Sequence, residues 1–283
     1  MPELPEVETV VRTLRPQIVG QSIKNVDILL PKALAFGEEF LPHITGLPIA
    51  NVMRRAKVIL VGLGEARQAS TQSLWEAYPF YLAFHLKMTG SFFMHPLGAE
   101  PMRHTRLVFD LGNGRLFFDD IRTFGYCRVM RPEDFLSWAF WQKLGPEPLE
   151  TSSLVLAKRF KNKNTSIKGA LLDQSVVAGV GNIYADESLF RAGIVPSAKA
   201  SSLSLARLRR LGEAVQEVLQ ISIDECGSSI RNYTDAFGNA GSFQNNFMVY
   251  GRKGEKCKTC QSPLLSQTIA TRTTVYCPDC QRK

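Results

Sequence analysis

The stretch that decides the architecture of the first half reads RLVFDL at 106–111, GNG at 112–114 and RLFF at 115–118. Two apolar-rich runs flank a Gly-Asn-Gly turn signal, the pattern of two short strands joined by a turn. The same texture extends outward from about residue 22 to 130, with further runs at Ser22–Leu29, Lys57–Val61 and Tyr81–His85. An all-β sandwich or barrel follows. A helix precedes it. Within residues 6–18, Val7, Val10, Val11 and Leu14 fall at i, i+3, i+4 and i+7 and make one apolar stripe. Glu6 and Glu8 occupy its first turn, where the helix dipole favours negative charge, and Pro16 marks its end region.

Residues 131–150 hold three prolines and a Gly-Pro pair, and read as a linker. Beyond 150 the chain turns helical, with candidate helices at 152–160, 166–174, 182–192 and 202–224. The segment 226–247, rich in Gly, Ser and Asn, reads as a long loop, which inside a compact domain is usually functional or mobile. The expected fold class is α+β. A β-sandwich domain with a leading helix spans 1–132, a linker 133–150, a helical domain 151–248 and a small C-terminal module 249–283.

A chain of 283 residues is long enough for two modest cores. With 45 % hydrophobic and 21 % charged residues it is an ordinary globular sequence, not a disordered one. No apolar run approaches the length of a membrane span, so no membrane partner is expected. The start MPELPEVE has neither the basic opening nor the apolar stretch of a secretory signal, and the cytosol is the expected compartment. A net charge of +8 favours a polyanionic partner. The basic residues crowd two stretches, Lys158, Arg159, Lys161, Lys163 and Lys168, and Lys253, Lys256 and Lys258, while Arg272, Arg282 and Lys283 lie near the C-terminal end.

Of six cysteines, Cys257, Cys260, Cys277 and Cys280 form two Cys-x-x-Cys pairs with sixteen residues between them. In a reducing compartment this spacing reads as one structural zinc site with a β-hairpin between the pairs, rather than as disulfides. With four thiolate ligands no coordination position remains for water. Cys127 and Cys226 read as small buried apolar residues.

The N-terminus offers a candidate nucleophile. Removal of Met1 would leave Pro2 with a free secondary amine, and an α-amino group near pKa 7.7–8.0 keeps an appreciable neutral fraction. Such an amine can attack a sugar aldehyde carbon without the burial a lysine needs. The resulting iminium is an electron sink that acidifies the neighbouring carbon–hydrogen bond and favours elimination of the 3′ phosphate. Glu3 and Glu6 supply two carboxylates suited to proton transfer at a sugar. For an arbitrary chain, a proline and two acids before a helix would be no more than a helix start.

Together these residues read PELPEVETV at 2–10, which resembles the formamidopyrimidine-DNA glycosylase family. Four more stretches agree in order: HLKMTG at 85–90, DIRTFG at 120–125, LLDQSVVAGVGNIYADE at 171–187, and VYGR at 249–252 leading into the cysteines. The likeness covers essentially the whole chain. It implies a bifunctional DNA glycosylase and abasic-site lyase of base excision repair, a monomer acting on damaged double-stranded DNA with one zinc ion and no organic cofactor. It implies that Pro2 is the Schiff-base nucleophile, that Glu3 protonates the sugar ring oxygen, and that Glu6 supports the site. Lys57 would handle a proton in β-elimination and touch a phosphate. Met88, Arg122 and Phe124 resemble the wedge that fills the space of an everted base. His85, His104, Lys163 and Lys168 match residues that contact DNA.

The stretch from Gly179 to Asn182 resembles a helix–two-turn–helix motif, in which Asn182 would cap the next helix and its N-terminus would receive a phosphate. Arg272 matches a zinc-finger arginine that grips phosphate and is credited in δ-elimination. Oxidised purines, 8-oxoguanine and formamidopyrimidines, are the implied substrates. The endonuclease VIII-like branch, which prefers oxidised pyrimidines, usually has glycine at the third residue of the mature chain; Leu4 and the wedge residues point to the purine branch. A DNA-binding homologue without catalysis would keep the charge, the zinc hairpin and Asn182, but intact Pro2, Glu3 and Lys57 argue against it. Three departures from the family pattern stand out: a longer segment at 62–80, Gln261 where a glycine commonly follows the second cysteine, and Asp235-Ala236-Phe237 in the loop thought to cover the base.

Overall fold

The computed structural model describes residues 2–66, 75–230 and 232–282, so residues 67–74 of the long 62–80 segment, and Lys283, lie outside the described residues. The chain forms two compact units, Met1–Gln142 with Cys226–Gly241, and Lys143–Glu225 with Ser242–Lys283.

The first unit opens with α1 (Leu4–Ile18), then β1 (Asn25–Ile28), β2 (Leu34–Phe36), α2 (Leu41–Ile44), β3 (Ile49–Arg55), β4 (Val58–Leu63), β5 (Phe80–His85), β6 (Gly90–His95), β7 (Thr105–Asp110), β8 (Arg115–Asp120) and β9 (Tyr126–Met130). Pro16 lies inside the last turn of α1 and does not end it. It forfeits one backbone bond where few remain to be made. The strands form a four-stranded sheet, ordered β1-β7-β8-β6, and a five-stranded one, β2-β9-β5-β4-β3. The strand runs read from sequence at 106–111 and 115–118 are β7 and β8, paired Phe109 to Leu116 and Asp110 to Arg115 across the turn.

Phe84 from the five-stranded sheet meets Phe92, Phe109 and Phe118 from the other, with ring centroids 4.9, 5.7 and 5.5 Å apart. Val7, Val10, Val11, Leu14 and Ile18 of α1 join the same buried cluster. The stripe on the helix and the inner strand positions thus share one core, which fixes α1 against the sheets.

Residues 133–142 are not an open linker. α3 (Asp134–Ser137) and α4 (Ala139–Gln142) form there, with Phe135, Trp138 and Trp141 buried. Tyr81 of β5 meets Phe135 edge-on at 5.4 Å, and Trp141 meets Trp75 at 5.4 Å. The prolines Pro132, Pro146 and Pro148 only bracket this aromatic patch. It covers the second face of β5, whose residues Tyr81–His85 are all buried. Trp75 and Tyr78, from the long 62–80 segment, belong to the same layer. A Cβ at Gly62 would stand 2.3 Å from the Tyr78 ring.

The second unit contains α5 (Ser153–Lys161), α6 (Ile167–Leu172), α7 (Asn182–Ala192), α8 (Leu205–Asp224) and the hairpin β10 (Leu265–Ile269) and β11 (Arg272–Tyr276). Ser152, Ser166 and Ser204 cap α5, α6 and α8 by accepting the amides of Val155, Gly169 and Arg207. Leu208, Leu211, Val215 and Leu219 form the buried stripe of α8. Ala270 and Thr271 turn the hairpin with φ of 48° and 61°, the left-handed pair that a two-residue connection demands. Among the described residues no helix is long and apolar enough to cross a membrane.

Trp141, 6 % exposed, tests the packed reading of 133–142. Trp141→Ala should lower unfolding free energy by about 3–5 kcal/mol in denaturant titration. A change below about 1 kcal/mol would return the segment to a linker.

Candidate functional site

Pro2, Glu3 and Glu6 are all buried at the start of α1. Glu3 is the N-cap, in extended backbone at φ −105°, and Glu6 sits at the third helical position. Oε2 of Glu6 accepts the Glu3 amide at 2.8 Å, the returning half of a capping box. Oε1 of Glu6 accepts the Ser228 amide at 2.8 Å and the Ser228 hydroxyl at 2.9 Å. One carboxylate therefore ties the chain start to a loop more than two hundred residues away.

That loop, 226–241, is seated along α1. Tyr233 donates its hydroxyl to the Glu6 carbonyl at 3.2 Å, and Ala236 donates its amide to Thr13 Oγ1 at 3.1 Å. Burial raises the Tyr233 phenol above its ordinary value. Gly227, at φ 80°, lets the chain pass where a Cβ would stand 3.1 Å from Glu6 Oε1. Asp235 closes the tip by accepting the amides of Phe237 and Asn239 at 2.8 and 2.9 Å, leaving Phe237 59 % exposed. Cys226 is exposed, not buried as its residue type suggested, whereas Cys127 is buried in the sandwich. Sequence reasoning missed Ser228 and Tyr233 as partners of Glu6; the glycine at 227 was the one local signal.

Lys57 follows Ala56, which turns β3 into β4 at φ 54°. Arg54 donates to Glu8 Oε2 at 2.9 Å and to the Ala56 carbonyl at 3.0 Å, so the turn that carries Lys57 is tied to the first half of α1. Although burial raises the Glu8 carboxyl, Arg12 and Arg54 outweigh it and hold the group below the usual range. Lys57 is 7 % exposed. Desolvation first, then the charges of Lys87 and Lys57, push the His85 imidazole down to about 3. His85 Nδ1 accepts the Lys87 amide at 3.1 Å.

Met88 and His104 are half-buried, while Arg122 and Phe124 are exposed, Phe124 by 53 %. The Arg122 guanidinium lies 5.0 Å from the centre of the Phe124 ring.

In the second unit, Gln174 pins the turn before α7. It accepts the Gly179 amide at 2.9 Å and donates to the Val180 carbonyl at 2.7 Å. Gly179 adopts φ 83°. Arg272, at the start of β11, is exposed, and its guanidinium bonds to no described residue. Lys163 pairs with Asp173 at 3.0 Å with both side chains more than a third exposed, a contact worth little and easily exchanged.

The four thiols of Cys257, Cys260, Cys277 and Cys280 have sulfur atoms within 4.8 Å of one another. Tetrahedral bonds of about 2.3 Å place sulfurs about 3.8 Å apart. The Cys257–Cys280 and Cys260–Cys277 separations of 3.9 and 3.3 Å bracket that value. Backbone amides of Thr259 and Cys280 point at the Cys257 and Cys277 sulfurs, as thiolate knuckles require. Gln261 has φ 66°, which explains why glycine suits that position. The cluster fits a structural metal.

Residues 1–127 match the model of the formamidopyrimidine-DNA glycosylase N-terminal domain, and residues 144–234 match that family's H2TH domain. The formamidopyrimidine-DNA glycosylase of Nitratidesulfovibrio vulgaris is 40 % identical, with both chains covered in full. That of Desulfitobacterium hafniense is 42 % identical over 99 % of this chain and all of its own. The chain belongs to the formamidopyrimidine-DNA glycosylase family. A solved complex of a Lactococcus lactis FPG mutant with DNA containing Fapy-dG superposes with a TM-score of 0.88 at 34 % identity, over 100 % of both chains.

Two residues carried over from the formamidopyrimidine-DNA glycosylase pattern do something other than expected here. Lys168 is fully buried and cannot reach a phosphate. Its Nζ lies 2.7 Å from Asp186 Oδ1 and donates to Thr274 Oγ1 at 2.7 Å. Asn182 is the first residue of α7, not its cap; Gly181 takes that place, and the Asn182 amide donates to the Thr273 carbonyl at 3.1 Å. His85, 7 % exposed, accepts the Lys87 amide on Nδ1 and so also shapes the turn bearing Met88.

Beside Lys168, Asp186 accepts the Val275 amide at 3.2 Å. Burial pushes the Asp186 carboxyl up to about 6 against the opposing pull of Lys168. Glu187 accepts the amides of Met248, Val249 and Tyr250 at 2.9, 3.0 and 2.8 Å. These buried charges hold the cysteine module on the helices of a formamidopyrimidine-DNA glycosylase. Lys168→Met should therefore lower the stability of this unit by about 3 kcal/mol, because it strands a buried carboxylate. It should leave unchanged the slope of log affinity against log salt for DNA. A slope reduced by about one, with stability intact, would mark Lys168 as a phosphate contact after all.

Proposed function

We propose that this chain is a bifunctional DNA glycosylase and abasic-site lyase of base excision repair, acting on oxidised purines in duplex DNA. The observation that carries this reading is the buried Pro2–Glu3 start, held by Glu6 on a helix locked into the sandwich core. A nucleophile at the end of a flexible chain would have to be ordered for each reaction, whereas a fixed one needs no such ordering.

In the proposed sequence, processing removes Met1 and frees the Pro2 amine. Met88, Arg122 and Phe124 enter the duplex as the damaged base leaves the stack, with apolar bulk from Met88 and Phe124 and donors from Arg122 for the orphaned base. The Pro2 nitrogen attacks C1′ and the bond to the base breaks. Glu3 protonates the ring oxygen, the sugar opens, and an iminium joins Pro2 to C1′. Loss of a C2′ proton, with Lys57 assisting, expels the 3′ phosphate; a second elimination, with Arg272 on the phosphate, expels the 5′ one. Water then releases the sugar remnant and restores the amine. Glu6 serves by positioning, since its oxygens are engaged by Glu3 and Ser228.

The second unit would grip the DNA backbone with Lys163, the start of α7 around Asn182, and Arg272, whose planar fork matches phosphate. In the first unit, His104 would add a further backbone contact. The four-cysteine cluster would hold one zinc ion, which supplies no chemistry and fixes the hairpin that presents Arg272. The cytoplasm is the proposed place of work.

The test is cleavage of a duplex containing 8-oxoguanine. The chain should excise the base and cut the strand, leaving phosphate on both sides of the gap. Pro2→Gly should slow strand cutting by about tenfold or more while DNA affinity stays within about threefold, the mark of an interaction made in the transition state. Unchanged cutting by that variant, or no release of 8-oxoguanine by the parent chain, would overturn the reading.

A further inference from the structure

Met88 and the Arg122–Phe124 pair lie on separate connections. β5 passes to β6 through residues 86–89, and β8 passes to β9 through 121–125. His85 pairs with Tyr126 in the five-stranded sheet, and Gly90 pairs with Asp120 in the four-stranded one. Both connections therefore cross between the sheets at the same end and run side by side. Lys87 and Thr123 turn them in left-handed backbone, at φ 53° and 56°. Neither is a glycine, so surrounding contacts must hold these conformations.

One side chain reaches both crossings. Asp120 ends β8 and is fully buried. Its Oδ1 accepts the Thr89 hydroxyl from the first connection and the Arg122 amide, at 3.1 Å, from the second. Its Oδ2 accepts the Gly125 amide at 2.6 Å. The Thr89 oxygen also accepts the Arg122 amide, at 3.0 Å, closing a three-membered ring of bonds. The backbone of Asp120 is fixed in turn, its amide on the His104 carbonyl at 2.9 Å and its carbonyl on Arg106 Nε at 2.8 Å. Gly125 allows the close approach; a Cβ there would stand 2.9 Å from the Phe118 ring and 3.1 Å from Asp120 Oδ2.

We propose that Asp120 and Thr89 are positioning residues that join the two crossings, so that Met88, Arg122 and Phe124 enter the duplex as one rigid unit. The proposal rests on the wedge reading given above. Three side chains from two independent loops would each have to be ordered on insertion, at the moment when unstacking is also opposed. With the connections joined beforehand, that ordering is built into the fold. Neither Asp120 nor Thr89 touches the base or the sugar in this scheme.

Thr89→Val keeps the shape and removes both bonds made by the hydroxyl; Thr89→Ser keeps the hydroxyl. Two substrates separate positioning from general damage. Excision of 8-oxoguanine from a duplex needs the wedge, whereas β-elimination at an abasic site in a single-stranded oligonucleotide has no base pair to open. Thr89→Val should slow single-turnover duplex excision about tenfold or more, since small misplacements at a reacting site are costly. Thr89→Ser should stay within about threefold of the parent, and all three chains within about twofold on the single strand. Equal losses on both substrates, or no loss on the duplex, overturn the proposal. Met88→Ala, run alongside, tells the two readings apart. Parental duplex activity there sinks the wedge, and positioning with it; a loss there beside an unimpaired Thr89→Val sinks positioning alone. Should Thr89→Val fail to fold, hydrogen exchange in the unaltered chain decides. The Arg122 amide should be protected about a hundredfold or more, and exchange at the rate of an open loop overturns the ring of bonds.

Discussion

A carboxylate with almost no contact with water sits where the chain begins. Glu6 accepts one amide from Glu3 and an amide and a hydroxyl from Ser228. Burying such a group is costly unless its lone pairs are satisfied, and here donors from both ends of the unit's sequence satisfy them. The chain start, the first turn of α1 and the loop 226–241 become one assembly. The proposed chemistry depends on it, because a terminal amine is useful only where the terminus does not wander.

The second unit solves a similar problem with the same means. A short hairpin with a four-cysteine cluster has too little apolar surface to hold its own place. Lys168, Asp186 and Glu187 bind its backbone and that of the segment leading to it, from positions inside the helices. Arg272 is left exposed on a hairpin whose next residues, Thr273, Thr274 and Val275, are held from beneath by Lys168 and Asp186. In both units buried polar groups fix position, while the exposed side chains of Phe124, Arg122 and Arg272 are free to meet a partner.

The sandwich and the helical half were legible because their signals are local. The apolar runs around Gly112-Asn113-Gly114 and the stripe from Val7 to Leu14 each declare an element within a dozen residues. The cysteine spacing declares the four-thiol cluster in the same way. What failed were inferences about partners. Lys168 looks like one more member of a basic stretch, and only Asp186 and Thr274, brought beside it by folding, make it a buried bolt. Asn182 has the composition of a cap, but Gly181 sits in the extended conformation that a cap requires. The prolines near 133–148 outweighed Phe135, Trp138 and Trp141, whose burial against β5 no local pattern announces. Ser228 and Asp120 gave no sign of their roles, since Ser228 meets Glu6 only when folding brings its loop to α1, and Asp120 acts across two connections aligned by the sheets.

The identity of the nucleophile is the point on which the chemical account turns. Borohydride reduction during reaction with an abasic duplex, followed by proteolysis and mass spectrometry, locates the bond to sugar. The account predicts the adduct on a peptide that begins at Pro2, with Met1 gone. An adduct on Lys57, or full activity in a chain that retains Met1, would contradict it.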